Sequence, residues 1–229
     1  MMADTSRFAL AFDVYGTLID THGVVTALST MVGDQAPAFS QTWRDKQLEY
    51  SFRRGLQKDY QHFGICTRDA LEYTCLFYQC ELSTAQKDEL LALYRVLPAF
   101  ADVTDALEHL KQADIPMYAF SNGNAAAVEG LLQNAGIREY FAGVVSVDDL
   151  QTFKPNPEVY QHFLTQSGAT AEKAWLISSN PFDVIGAVGI GMQAAWVKRS
   201  KTAIFDPWGV EPTATVSGLH ELPALFTTE

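Results

Sequence analysis

The chain has 229 residues, 48% of them hydrophobic and 19% charged, enough to bury most of the surface its unfolded form would expose, which excludes a disordered chain. Its 16 Lys and Arg stand against 27 Asp and Glu, and the net charge of −11 argues against nucleic acid or an anionic membrane surface as partner. A small anionic substrate is compatible with that total, because a few buried cations set the potential of a pocket locally.

In chain order, the first seven residues hold no apolar stretch that would serve as a signal, and no later run approaches the roughly 18 to 20 apolar residues of a membrane span. A cytoplasmic location is expected. Residues 8–12 form a short apolar run of buried-strand type, followed by Asp13-Val14-Tyr15-Gly16-Thr17-Leu18, a carboxylate at a strand end with a glycine where the chain must turn. From about residue 22 to 98 the pattern changes to helical periodicity, with Trp43, Gln47, Tyr50 and Arg54 at helical spacing, as are Leu71, Cys75 and Tyr78. This predicts an inserted helical bundle over residues 21–96, with Pro98 as a hinge or helix stop on the way back. Cys66, Cys75 and Cys80 lack the spacing of a metal or redox motif and read as reduced thiols packed as small hydrophobes.

Further strands are expected at 117–120, 144–147, 175–177 and 194–197, separated by helical stretches such as 125–135. Strands joined by helical crossovers predict an α/β fold, a doubly wound Rossmann-like parallel sheet over residues 1–20 and 97–229, with ligands beyond the carboxyl ends of its strands. Polar groups follow each predicted strand: Asp13 the first, Ser121-Asn122-Gly123 the second, Lys154-Pro155 the third, and Ser178-Ser179-Asn180-Pro181-Phe182-Asp183 the fourth. Read alone, Asp13 is a turn cap as readily as a site residue, Ser121 a helix cap, Lys154 a solvated lysine and Tyr160 a core aromatic. Their convergence at one end of one sheet favours a site.

Those motifs resemble the haloacid dehalogenase superfamily over essentially the whole chain. The superfamily's phosphatases carry Asp-x-Asp-x-Thr and a further acidic residue where this chain has Tyr15 and Ser179, so a magnesium cage of hard oxygen ligands lacks two carboxylates and no metal or other cofactor is expected. The departures match the L-2-haloacid dehalogenases, and Trp43-Arg44-Asp45-Lys46-Gln47-Leu48-Glu49-Tyr50 is similar to a run of that family.

The resemblance implies hydrolysis of small L-2-haloalkanoates to D-2-hydroxy acids and halide. Asp13 is the implied nucleophile, Lys154 keeps it ionised, and Arg44, Asn122 and Phe182 receive the halide. Ser121 and the backbone N–H groups near Tyr15 and Gly16 hold the substrate carboxylate. Leu48 and Tyr160 complete the implied surroundings. Asn180 and Asp183 orient and activate the water that cleaves the ester, with Thr17 and Ser178 arranging the carboxylates. A carboxylate beside a lysine is expected to be a weak base, which counts against Asp183 in that role. A homodimer is the family's implied assembly. A phosphatase acting through the same Asp13, or a silent relative that binds a carboxylate, stays as the alternative.

Overall fold

A computed structural model describes residues 7–226. Strand β1 (Arg7–Phe12) is followed by four helices, α1 (Gly23–Val32), α2 (Ala36–Gln57), α3 (Phe63–Phe77) and α4 (Thr84–Leu93). The chain then alternates: α5 (Val103–Gln112), β2 (Met117–Ser121), α6 (Ala125–Asn134), β3 (Gly143–Ser146), α7 (Pro157–Ser167), β4 (Ala169–Ser178), α8 (Pro181–Gly189), β5 (Gln193–Val197), β6 (Ala214–Val216) and α9 (Leu222–Phe226). The strands form one parallel sheet in the order β3-β2-β1-β4-β5-β6, and the chain direction across the sheet switches between β1 and β4. In such sheets the crevice outside the strand ends at the switch is the usual place for a ligand.

Side-chain alternation along β1 feeds two apolar layers. Leu10 and Phe12 pack with α1, α2, α5 and α6 on one face, whereas Ala9 and Ala11 pack with α7 and α8 on the other. On α2 the residues Phe39, Trp43, Gln47 and Ser51 are buried at four-residue spacing, and the Trp43 indole donates to the Thr67 carbonyl of α3 at 2.8 Å. Gln47 lies within this stripe, its amide donating to the Tyr94 hydroxyl at 2.9 Å. The three cysteines are free thiols, and burial pushes Cys66 up to about 11 and Cys75 to about 12.

Three features differ from the sequence expectation. Strand β6 is three residues at the sheet edge, too short to carry a periodic signal. Strand β4 starts at Ala169, because its first half is partly exposed and lacks the apolar run that marks its second. Pro98 stops no helix: α4 has ended at Leu93, and the Pro98 carbonyl accepts from the Asp20 N–H at 2.9 Å. Two residues on, the Phe100 N–H donates to the Leu18 carbonyl at 2.9 Å, so the outgoing and returning chains run side by side where the helical insertion leaves the sheet. Among the described residues, no helix is long and apolar enough to cross a membrane.

Candidate active site

Asp13, directly beyond β1, is 8% exposed. Its Oδ2 accepts two bonds, from the Thr17 hydroxyl at 2.9 Å and from the Asn180 amide at 2.7 Å, while its Oδ1 faces the Lys154 ammonium at 3.3 Å. The turn behind it needs glycine: Gly16 has φ +83°, a conformation that side chains with a Cβ rarely adopt. Asn180 is the N-cap of α8, yet its side chain caps nothing there and donates to Asp13 instead. Local helix stability is given up for the site.

Lys154 is 1% exposed, and its ammonium is spent on three acceptors: Asp13, the Phe120 carbonyl at 2.9 Å and Asp183 Oδ2 at 2.8 Å. It also lies 4.1 Å from the Phe120 ring centroid, a cation–π contact that adds to its solvation. A lysine so deeply buried is tolerable because every donor has a partner and two carboxylates face it. Asp183, in the first turn of α8 and fully buried, completes the chain by accepting from the Tyr160 hydroxyl at 2.8 Å. Burial lifts Asp183 above its ordinary value, the repulsion of Asp13 adds to it, and Lys154 and the Tyr160 hydrogen bond oppose without reversing it. The expectation of a lysine-depressed carboxylate is therefore corrected: desolvation dominates, and Asp183 is held above its ordinary value rather than below it. Burial also pushes the Tyr160 phenol well above its usual value, so it stays a donor.

The remaining predicted residues surround this network. The Lys154 N–H donates to Asn122 Oδ1 at 2.9 Å, which fixes that amide with its NH2 as the free end. Ser121 does not cap α6, where Asn124 accepts from the first-turn amides; its hydroxyl oxygen accepts from the Gly123 N–H at 3.0 Å and keeps its own proton to donate. Arg44 reaches from α2 to the β1 loop and donates to the Tyr15 carbonyl at 3.3 Å. Of the two backbone donors expected near Tyr15 and Gly16, that of Gly16 is consumed within the turn by the Ile19 carbonyl at 2.9 Å. Among the described residues the Tyr15 N–H meets no backbone acceptor, and burial pushes the Tyr15 phenol up to about 12. Ser178 accepts from the Asn180 N–H at 3.1 Å and so acts on the loop rather than on Asp13 directly. Phe182 meets Phe52 of α2 edge to face at 5.1 Å, whereas Leu48, four residues after Arg44, is half-buried on the Arg44 side of α2 and is not tied to the others by such contacts.

Two contributors escaped the sequence reading. Ser179, read only as a missing carboxylate, donates its N–H to Thr17 Oγ1 at 2.9 Å and its hydroxyl to the Gly16 carbonyl at 2.9 Å, locking the two loops together. Arg199, beyond β5, donates to the Thr17 carbonyl at 2.6 Å while held by Asp102 at 2.7 Å. Its place after a strand end was the available signal. Where related phosphatases carry two further carboxylates this chain has Tyr15 and Ser179, the Ser179 hydroxyl is engaged by the Gly16 carbonyl, and the Lys154 ammonium already faces Asp13 and Asp183, a poor donor set for magnesium. Among the described residues no group of three or more His, Cys, Asp or Glu is arranged to hold a metal ion.

A parallel sheet with an aspartate beyond β1, a lysine after β3 and an acidic loop after β4 defines a class: the chain belongs to the haloacid dehalogenase-like hydrolases, whose family model matches residues 9–191. Within that class its relatives are named for carbon–halogen chemistry. The (S)-2-haloacid dehalogenase of Pseudomonas putida is 36% identical over 213 residues, 93% of each chain. Haloacetate dehalogenase H-2 of Moraxella sp. is 36% identical over 208 residues, 91% of this chain and 92% of its own. Among solved structures, that of L-2-haloacid dehalogenase from Xanthobacter autotrophicus with chloropropionic acid covalently bound superposes with a TM-score of 0.86 at 30% identity, covering 96% of this chain and 98% of that one.

Proposed function

We propose that the protein hydrolyses small L-2-haloalkanoates to D-2-hydroxyalkanoates and halide through an ester on Asp13. The observation that carries this reading is that Asp13 and Asp183 are both engaged by the Lys154 ammonium while Tyr15 and Ser179 stand at the two positions where a metal-dependent phosphatase needs further carboxylates. Because Oδ2 is fixed by two short bonds and Oδ1 by one longer one, Oδ1 is the oxygen that attacks C2. Its electron pair forms the C–O bond as the carbon–halogen bond breaks and the halide leaves with that bond's pair. Arg44 and the free NH2 of Asn122 meet the growing negative charge, a type of stabilisation worth on the order of 100-fold or more per donor, and the Phe182 ring edge adds to it. Ser121 and the Tyr15 N–H hold the substrate carboxylate. Water then adds to the side-chain carbonyl carbon of Asp13, Asp183 takes its proton, and collapse releases the hydroxy acid with Asp13 restored. Its elevated affinity for protons suits Asp183 to this step. Thr17 and Asn180 keep the Asp13 carboxylate in place, Ser178 braces the Asn180 loop, and Gly16, Leu48 and Tyr160 shape and support the pocket.

In this reading residues 1–20 and 97–229 form the core and residues 21–96 the cap that supplies Arg44. The active species is a cytoplasmic homodimer, which light scattering coupled to gel filtration tests directly. The activity itself is tested by halide release from L- and D-2-chloropropionate with EDTA present, beside phosphate release from a generic phosphoester with magnesium. Halide from the L isomer alone is the expected result, and phosphate without halide overturns the reading. A single turnover in oxygen-18 water with enzyme in excess leaves label in Asp13 and none in the product; label in the product removes the ester.

A further inference from the structure

Beside the site lies a second cleft, of about 400 Å³, bounded by the start of α3, the segment after α4 and the start of α6. Arg68, Arg95 and His62 are among its lining residues, and Tyr15, Gly123 and Asn124 carry it toward the site. A Cβ built on Gly123 would lie 3.3 Å from the Ser121 hydroxyl and 3.9 Å from the Tyr15 ring, so the cleft floor adjoins the proposed carboxylate-binding groups. Tyr15 accepts from Arg44 on the site side, and the positive charges of both Arg44 and Arg95 are felt at its phenol.

Charge singles out this cleft. Among the described residues Arg95 is exposed and has no carboxylate within ion-pair reach. Arg68 faces Asp69 at 3.3 Å, but Asp69 is shared with Arg54. Asp148, near the rim, is engaged by the Asn124 amide at 2.9 Å and by the Tyr60 hydroxyl. The larger cavity on the other side, about 680 Å³, is lined by Phe52, Leu56, Phe182 and Trp208, with Asp206 on its wall and a lysine already shared between two carboxylates. An anion approaching a protein of net charge −11 meets attraction at the Arg68–Arg95 cleft and little at the larger cavity.

We propose that the Arg68–Arg95 cleft is an anion portal, a binding site for small monocarboxylates and halide that passes them between solvent and Arg44. This rests on the dehalogenase reading, in which the substrate and both products are anions. Two exposed charges roughly 10 Å from an anion's path change its local concentration by roughly three- to five-fold at low salt and by little once screened.

The test compares the double variant Arg68→Gln/Arg95→Gln with Lys58→Gln/Lys201→Gln, which makes the same change in net charge at exposed sites elsewhere. With L-2-chloropropionate at low ionic strength, kcat/KM is expected to fall three- to five-fold in the first and not in the second. The loss should vanish at 0.5 M salt, and kcat should stay within about two-fold throughout. Equal losses in the two variants, or an unchanged salt dependence in the first, overturn the portal. Chloride-35 NMR line broadening at low salt needs no turnover: it should diminish in the arginine variant and not in the lysine control. Undiminished broadening refutes the portal, whereas an absence of halide release from every form, with the broadening difference intact, refutes the dehalogenase reading alone.

Discussion

Replacing Lys154 with methionine keeps most of the side-chain volume and removes the charge. Three acceptors then lose their donor, the Phe120 carbonyl and one oxygen each of Asp13 and Asp183, all in a pocket where Lys154 was 1% exposed. Removing one partner of a buried ionic group costs about 3–5 kcal/mol, because the charges left behind are uncompensated. The cost should depend on pH. With Lys154 present, burial already raises Asp183 above its unfolded value of about 3.9, and removing the one opposing cation raises it further. A carboxyl group whose folded value is raised binds more protons folded than unfolded. Its stabilising contribution is thus fully present below the unfolded value and is lost as pH climbs through the folded one. Lys154→Met should therefore lie nearest the wild type at about pH 4 and fall further behind it as pH rises from there toward pH 8. Urea unfolding followed by circular dichroism at several pH values measures this, with halide release abolished throughout. A deficit equal at all pH values, or none at pH 8, would refute the account of Lys154 as the charge that makes two buried carboxylates tenable.

Arg44→Lys should reduce kcat for halide release about 100-fold, since a lysine retains the charge but not the planar fork of donors, while the melting temperature stays within about 2 °C of wild type. Near-normal turnover would remove Arg44 from the halide site. In Gly186→Ala the new Cβ would fall 2.6 Å from the Tyr160 ring, so the ring must move and its 2.8 Å bond to Asp183 must lengthen. Stability should drop by about 1–3 kcal/mol and turnover at least ten-fold. Gly16→Ala has room, with the Ser179 hydroxyl 3.5 Å away, but places a Cβ at φ +83°. A loss of about 1–2 kcal/mol in denaturant titration is expected from that strain.

Much of this arrangement was legible in the residues themselves. Apolar runs bounded by turn residues marked β1, β2, β3, β5 and the buried half of β4, and the polar groups after four of these strands converge in the structure. What eluded the sequence depended on distance along the chain. Arg199 and Thr17 lie 182 positions apart, and no local pattern announces that a guanidinium will hold a carbonyl so remote. The balance at Asp183 was misjudged for a related reason. The nearby lysine is a motif that can be read, whereas complete burial results from packing by many residues and outweighs it. The Gly16 N–H was likewise assigned to a ligand before the turn had claimed it.

The paired crossing of Leu18–Asp20 with Pro98–Phe100 has a consequence for how such a protein can change over time. Because the chain leaves the sheet and rejoins it at one spot, the intervening helices can lengthen, shrink or be exchanged without shifting the register of any strand. The scaffold that carries the aspartate and the lysine is thereby insulated from changes in the helices between the two crossings. In the proposed reading Arg44 comes from those helices, and would be acquired or discarded along with them.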